Sequence, residues 1–339
     1  MPSLMDLPQE IRALIFEEAL NAHRTPRVRP STVNMVFLLD MRYRAYLRYL
    51  VPYHERRDSH SPSNDLPLLL TSRQVFEETK SVLYRMQRTT YVLDISVLDD
   101  QYLFSSWISV PTLTTRVSTL HVDIRLFGRI LTAEEGGRQL GSGGRWGFHW
   151  CFYALLERFL QYGPVGEKKP CLDDKGRLYY EARQISVENL ILDFQSAETE
   201  LPFPPDDVEF KAWHAKHQGY TVDGQIEHSL EYKTRPEWLL LDLTGWLELI
   251  IKISTGTKKW GKLIYERIGT IFMLVDGKLH TTIDLAGELA KYKCDKPPHF
   301  MANVEPSTRR AREWEWKIAT LLRREELGFP VVWLEDEEM

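Results

Sequence analysis

Val117-Ser118-Thr119-Leu120-His121-Val122-Asp123-Ile124 alternates apolar and polar residues over its second half, the period of a strand with one face in a core and one outside it. Upstream, Thr90 to Ile95 carries the β-branched and aromatic residues that suit a pleated backbone. The pattern returns at Ile185-Ser186-Val187-Glu188-Asn189-Leu190-Ile191-Leu192-Asp193-Phe194. Between the two, Trp146 to Tyr162 is dense in apolar and aromatic residues, among them Phe148, Phe152, Leu155, Leu156 and Phe159, and reads as a helix. Strand, helix, strand in this order predicts a βαβ unit with its two strands in a parallel sheet.

Both strands read V-x-x-L-x-V/L-x-I/F, which resembles the strand portion of a leucine-rich repeat. Two copies at a long and irregular interval are too few for a solenoid, which needs at least about three repeats to bury a continuous core. Further along, Asp207 to His217 and Trp238 to Ile251 have helical character. Ile271 to Ile283 contains Asp276-Gly277 between two strand-like runs, which predicts a hairpin because that turn requires positive φ. Arg309 to Glu326 reads as a charged helix with Trp314, Ile318, Leu321 and Leu322 as its apolar stripe, and Glu335 to Glu338 as an acidic tail.

The N-terminal quarter follows a different grammar. In Asp6-Leu7-Pro8-Gln9-Glu10-Ile11-Arg12-Ala13-Leu14-Ile15-Phe16, Asp6 is placed to cap a helix, Pro8 suits its first turn, and Glu10 lies beside the positive dipole end. At 100° per residue Leu7, Ile11, Leu14 and Ile15 form one stripe, while Phe16 and Leu20 fall on roughly the opposite side. One stripe suffices for a core, so the other calls for a second partner. Leu66-Pro67-Leu68-Leu69-Leu70-Thr71-Ser72-Arg73-Gln74-Val75-Phe76-Glu77-Glu78, running on to Leu83-Tyr84, predicts an amphipathic helix. Leu68, Leu69, Val75, Phe76, Thr79, Val82 and Leu83 share its apolar face, with Arg73, Gln74, Glu77 and Lys80 away from it.

The first run resembles the opening helix of an F-box, and the second the later block of the same motif, as found in fungal F-box-like proteins. Here residues 21–65 separate the blocks, whereas a compact F-box joins them tightly. The resemblance implies an F-box-like helical module over residues 1–88 and a mixed α/β recognition domain over 89–339, an α+β chain overall. It also implies docking on the S-phase kinase-associated adaptor of a cullin–RING ubiquitin ligase, with a protein substrate held by the downstream domain. On matching positions it assigns Leu7, Pro8, Ile11, Ile15, Phe16, Leu69, Leu70, Val75 and Phe76 to the adaptor interface or its supporting core. An interaction protein that no longer binds a ligase is the alternative.

The insert supplies another alternative. Between residues 21 and 57 eight arginines stand against Asp40 and Glu55, a local charge of +6. Within it Arg42, Tyr43, Arg44, Tyr46, Arg48 and Tyr49 interleave guanidinium and aromatic groups, a combination able to pair phosphates and stack on bases. Leu39, Tyr43, Tyr46, Leu47 and Leu50 also lie at helical spacing, so an amphipathic helix with solvated arginines explains the same residues and is preferred. His54 to Asn64 reads as a polar connector.

With 339 residues, 43% of them hydrophobic, the chain can build a real core. A net charge of −5 gives no global pull toward nucleic acid or anionic membrane. Cys151, Cys171 and Cys294 are too few and too scattered for a disulfide framework or a cysteine zinc site. No run of about 18 apolar residues could span a bilayer, and no secretory leader or N-x-S/T site occurs, so a cytoplasmic or nuclear location is expected.

Catalytic motifs fail on their ligands. Gly256-Thr257-Lys258-Lys259-Trp260-Gly261-Lys262 satisfies G-x-x-x-x-G-K, but Leu263 stands where a hydroxyl would hold magnesium, so a polar turn between helices explains it better. Gly136 to Arg145 is glycine-rich without a strand feeding it and reads as a surface loop. His214 and His217 lack a third zinc ligand, His121 reads as an ordinary strand histidine, and no G-x-S-x-G occurs. The expectation is a non-catalytic binding protein with no cofactor and no metal.

Overall fold

The computed structural model describes residues 4–26, 28–30, 36–37, 52–53, 63–86, 88–98, 102–127, 148–164, 171–172, 178–179, 183–197, 202–210, 234–253, 258–293 and 306–333. Helix α1 (Gln9–Leu20) is followed by the two-residue strands β1 (Val36–Phe37) and β2 (Pro52–Tyr53), then α2 (Asp65–Leu69) and α3 (Arg73–Arg85). Strands β3 (Thr90–Leu98), β4 (Tyr102–Ser109) and β5 (Arg116–Phe127) precede helix α4 (Phe148–Tyr162). After the short pair β6 (Cys171–Leu172) and β7 (Leu178–Tyr179) come β8 (Ser186–Gln195), α5 (Pro236–Ile251) and α6 (Lys258–Arg267). Then β9 (Ile268–Val275), β10 (Lys278–Ile283), α7 (Leu285–Lys291) and α8 (Pro306–Glu326) complete an α+β chain. The Arg/Tyr patch Arg42 to Tyr49, the glycine-rich run 136–145, His214 and His217, Gly256, Thr257 and the acidic tail lie outside the described residues.

Six strands form one mixed sheet in the order β10-β9-β8-β5-β3-β4, parallel through its four central strands with an antiparallel strand at each edge. The expected parallel pairing is present and in phase: Val117, Leu120, Val122 and Ile124 stand opposite Val187, Leu190, Leu192 and Phe194. Two further strands share that register. Ile268, Ile271, Met273 and Val275 of β9 continue the rows on one side, and Tyr91, Leu93 and Ile95 of β3 on the other. The sequence reading found two copies of this pattern where the sheet holds a third and most of a fourth.

The parallel strands follow one another in chain order, so crossovers of one hand all fall on one side. Helices α4, α5, α6 and α7 contribute to a single core on the face carrying Leu120, Val122, Leu190, Leu192 and Met273. The opposite face carries Asp94, Ser96, His121, Asp123, Arg125, Asn189, Asp193 and Gln195.

Within the helix layer, Gly261 lies inside α6, where a Cβ would come within 2.3 Å of the Ile250 carbonyl of α5. The second glycine of the loop-like motif therefore permits close helix packing, and the expected turn gives way to helix from Lys258 onward. Lys259 pairs with the buried Glu157 of α4, which also accepts from Trp260 Nε1 at 2.9 Å. Cys151 is a free thiol in this core, its pKa pushed up to about 12 by burial.

Helix α8 corrects the expected stripe. Leu321 is buried and Ile318 packs against the core partly buried, but Leu322 is 49% exposed, and the fully buried positions of the inward face are otherwise Glu313, Lys317, Thr320 and Arg324. Arg324, with no solvent exposure, donates from Nη1 to the carbonyls of Tyr265 (2.8 Å) and Ile268 (2.7 Å) and from Nη2 to Gly269 (2.9 Å). Lys317 Nζ donates to the Ala290 and Tyr292 carbonyls at 2.9 and 3.1 Å. These side chains take up carbonyls near the junctions of α6 with β9 and at the end of α7, which would otherwise be buried without donors.

Candidate docking surface

Helix α1 starts at Gln9 with Pro8 at the cap position, and the Pro8 carbonyl accepts from the amides of Ile11 and Arg12, each at 3.1 Å. Asp6 belongs instead to a 3-10 turn, Leu4–Asp6, ahead of the helix, so the expected Asp6 cap is not formed. The second block also differs from expectation. It is two helices, interrupted at Thr71, with the Ser72 hydroxyl capping α3 through the Val75 amide at 3.2 Å. Its apolar face is as read: Val75, Thr79 and Val82 are buried, and Arg73, Gln74, Glu77 and Lys80 are exposed.

Phe16 and Leu20 of α1 pack with Val75 and Val82 of α3 in a small core of their own, with Met5, Ala13, Leu68, Leu83 and Met86 around it. The polar clamp beside this core is Arg12. Its Nε donates to Glu78 Oε2 at 2.8 Å and its Nη2 to Oε1 at 2.5 Å, while Nη1 donates to the Leu7 carbonyl. Gln74 also donates to Glu78 at 3.1 Å. The hydrogen bond from Arg12 holds the Glu78 carboxyl below its usual pKa and raises that of the guanidinium in return. Arg12 is the internal residue of the first F-box-like run and Glu78 the last residue quoted in the second, so this bidentate pair joins the two blocks.

The helix pair is also tied to the sheet. Asn64 Nδ2 donates to the Leu20 and Ala22 carbonyls at 2.7 and 2.9 Å, taking up carbonyls at the end of α1. The Asn64 amide donates to Val110 O, the Asp65 amide to Pro111 O and the Arg24 amide to Ile108 O. Thr112 Oγ1 donates to Asp65 Oδ2 at 2.6 Å, and the Thr112 carbonyl accepts from the buried Tyr91 hydroxyl.

With its Phe16 side anchored, α1 turns its larger apolar stripe outward. Leu7 is 36% exposed, Ile11 44%, Leu14 59% and Ile15 39%. Pro8 is exposed too, as are Leu66 on α2 and Leu70 just after it. Asp6, Glu10, Glu17 and Glu18 are exposed along the same helix and its lead-in, giving an apolar strip with an acidic border. Among the residues the resemblance assigned, Phe16 and Val75 belong to the supporting core, and Leu69 and Phe76 are half-buried. Leu7, Pro8, Ile11, Ile15 and Leu70 lie at the surface. Leu14, the most exposed of the stripe, was part of the periodic pattern yet outside that assignment.

Elsewhere, one group of described side chains brings three candidate ligand atoms together: His121, Asp123 and Asp193, on the sheet face opposite Leu120, Val122 and Leu192. Burial opposes protonation of His121, but its hydrogen bond to Asp123, at 3.2 Å, outweighs this and raises its pKa.

The fold and this surface define an α+β protein with a mixed six-stranded sheet and a clamped N-terminal helix pair. Comparison with protein-family models, with curated proteins and with solved structures finds no match. Among the described residues no helix is long and apolar enough to cross a membrane.

Proposed function

We propose that this chain is a non-catalytic, F-box-like substrate-recognition adaptor, with α1 docking on the S-phase kinase-associated adaptor of a cullin–RING ligase. The observation that supports it most is the outward stripe of Ile11, Leu14 and Ile15, with Leu7 just ahead of them, on a helix whose other side is already packed and clamped by Arg12 and Glu78. Contiguous exposed apolar surface of this kind is characteristic of a protein-binding face. A helix serving only the chain's own core would be expected to bury its larger stripe. The two sequence runs that resemble the F-box are also the two runs that meet here.

In this reading the chain makes and breaks no bond. The docking helix fixes it to the ligase while the α/β part holds a protein substrate, so substrate lysines are presented at raised effective concentration. The test is co-purification of the full chain with purified adaptor, compared with Ile11→Asp/Ile15→Asp. Both residues are exposed, so the variant is expected to keep the native circular dichroism and melting curve while losing the adaptor. Unchanged capture by the folded variant, or no capture by the native chain, overturns the proposal. Retained capture would move the contact off α1, whereas no capture by the native chain makes an interaction protein without ligase binding the better reading.

A further inference from the structure

At one level of the sheet, three neighbouring parallel strands each carry an aspartate: Asp94 stands opposite Asp123, and Asp123 opposite Asp193. Strands lie about 4.8 Å apart, so equivalent side chains on one face are neighbours, and like charges there oppose folding. The cost is heightened by burial, since Asp94 is 1% and Asp193 4% exposed. One of the three is neutralised: Arg125 donates from Nε to Asp94 Oδ1 at 2.6 Å and from Nη2 to Oδ2 at 2.9 Å. Ser96 donates to the same carboxylate at 3.0 Å.

Asp123 and Asp193 are left side by side. The Gln195 amide bridges them, donating to Asp123 Oδ1 at 2.6 Å and to Asp193 Oδ2 at 3.2 Å. The Gly277 amide donates to Asp193 Oδ1 at 3.0 Å, delivered by the β9–β10 turn, where Asp276 and Gly277 both have positive φ. These contacts are dipoles, not charges. Among the described residues no lysine or arginine forms an ion pair with either carboxylate, and the imidazole of His121 is the basic group that reaches the pair.

We propose that His121, Asp123 and Asp193 form a binding site for one divalent transition cation of the zinc or manganese class. Each offers a ligand atom, all within 4.8 Å of one another, so modest side-chain rotation brings them to bonding distance. An imidazole with two carboxylates suits a borderline cation, whereas calcium takes a larger set of oxygens. A compact ion can approach Asp193, whose slight exposure is poorly suited to the lysine or arginine side chain of a partner. Rotating the Gln195 amide by half a turn presents its oxygen as a fourth donor, and Gly277 already orients the other oxygen of Asp193. The cation supplies the positive charge that the aspartate row lacks. This site is independent of the α1 surface.

The experiment uses the full chain, stripped with chelator and titrated with zinc chloride and separately with manganese chloride, by calorimetry and thermal melting. Saturable binding of one equivalent is expected, with a melting temperature that rises with metal concentration. His121→Gln and Asp193→Asn should each weaken binding by about tenfold or more while keeping the metal-free circular dichroism of the native chain. If Asp193→Asn fails to fold, His121→Gln, at a half-exposed strand position, decides. Absence of saturable binding by the native chain overturns the proposal, as does unchanged affinity in the folded variant. A melt that does not respond to metal overturns it as well.

Discussion

Helices α1 and α8 are built the opposite way round. In α1 and its lead-in the larger apolar stripe, Leu7, Ile11, Leu14 and Ile15, faces out, while an arginine and two apolar residues face in. In α8 a glutamate, a lysine, a threonine and an arginine face in beside Leu321, while Leu322 faces out. The difference teaches that the buried side of a helix is set by what awaits it. Helix α3 offers α1 a short apolar face plus one carboxylate, which is enough for Phe16, Leu20 and Arg12. Buried backbone carbonyls await α8, and only long donors can satisfy them.

The hardest way to break this contrast is at Arg324. Replacing it by alanine removes the donors to Tyr265, Ile268, Gly269 and Pro330 and leaves buried carbonyls without partners. Hydrogen bonds to charged groups are worth about 1.5–3 kcal/mol each, but bonds sharing one guanidinium do not add fully, so we expect a loss of about 5 kcal/mol in urea denaturation. A loss below about 1 kcal/mol would mean that the inward polar face of α8 does not hold it in place.

A paired measurement on α1 sharpens the comparison at lower amplitude. Phe16→Ala empties a site that is 1% exposed and should cost about 3–4 kcal/mol, whereas Leu14→Ser, at 59% exposure, should change stability by no more than about 0.5 kcal/mol. Urea melts of the two variants check both figures. Similar losses at the two positions would place Leu14 in an internal contact and remove the outward stripe on which the adaptor reading rests.

How much of this was legible in the sequence depends on whether the deciding partner is local. The strands at 117–124 and 185–194 were readable because half of each alternates by itself. The equivalent strand Ile268–Val275 was not read as a copy, because Phe272 and Leu274 on its outer face are also apolar and blur the period. Strand β4 was missed because Ser105 and Ser106 interrupt its apolar run. On α8 only Ile318 and Leu321 of the inward face were readable, since the acceptors of Lys317 and Arg324 are backbone carbonyls of other elements. Nor could the aspartate row: each residue is an ordinary outward position in its own strand, and only the register puts the three together. For α1 both stripes were visible, but the choice between them rests on Arg12 meeting Glu78, 66 residues away.

That last pair separates the two helices by pH. Glu78 ionises below its usual range because Arg12 hydrogen-bonds its carboxylate, so its folded pKa lies under the unfolded value, near 4.3. A depressed carboxyl pKa stabilises the folded state fully above the unfolded value and loses that contribution as pH falls through the folded one. Acidification below about pH 4 should therefore loosen α1 from α3. Arg324, its pKa lowered to about 10 by burial, stays charged throughout that acid range and keeps its carbonyls. Hydrogen exchange at pH 3 against pH 6, corrected for intrinsic rates, is expected to lose protection in α1 while α8 retains it. In Glu78→Gln the acid-induced part of the α1 loss should vanish, because no carboxylate remains there to protonate. An equal loss in both helices would show that acid acts on the whole fold rather than through this clamp.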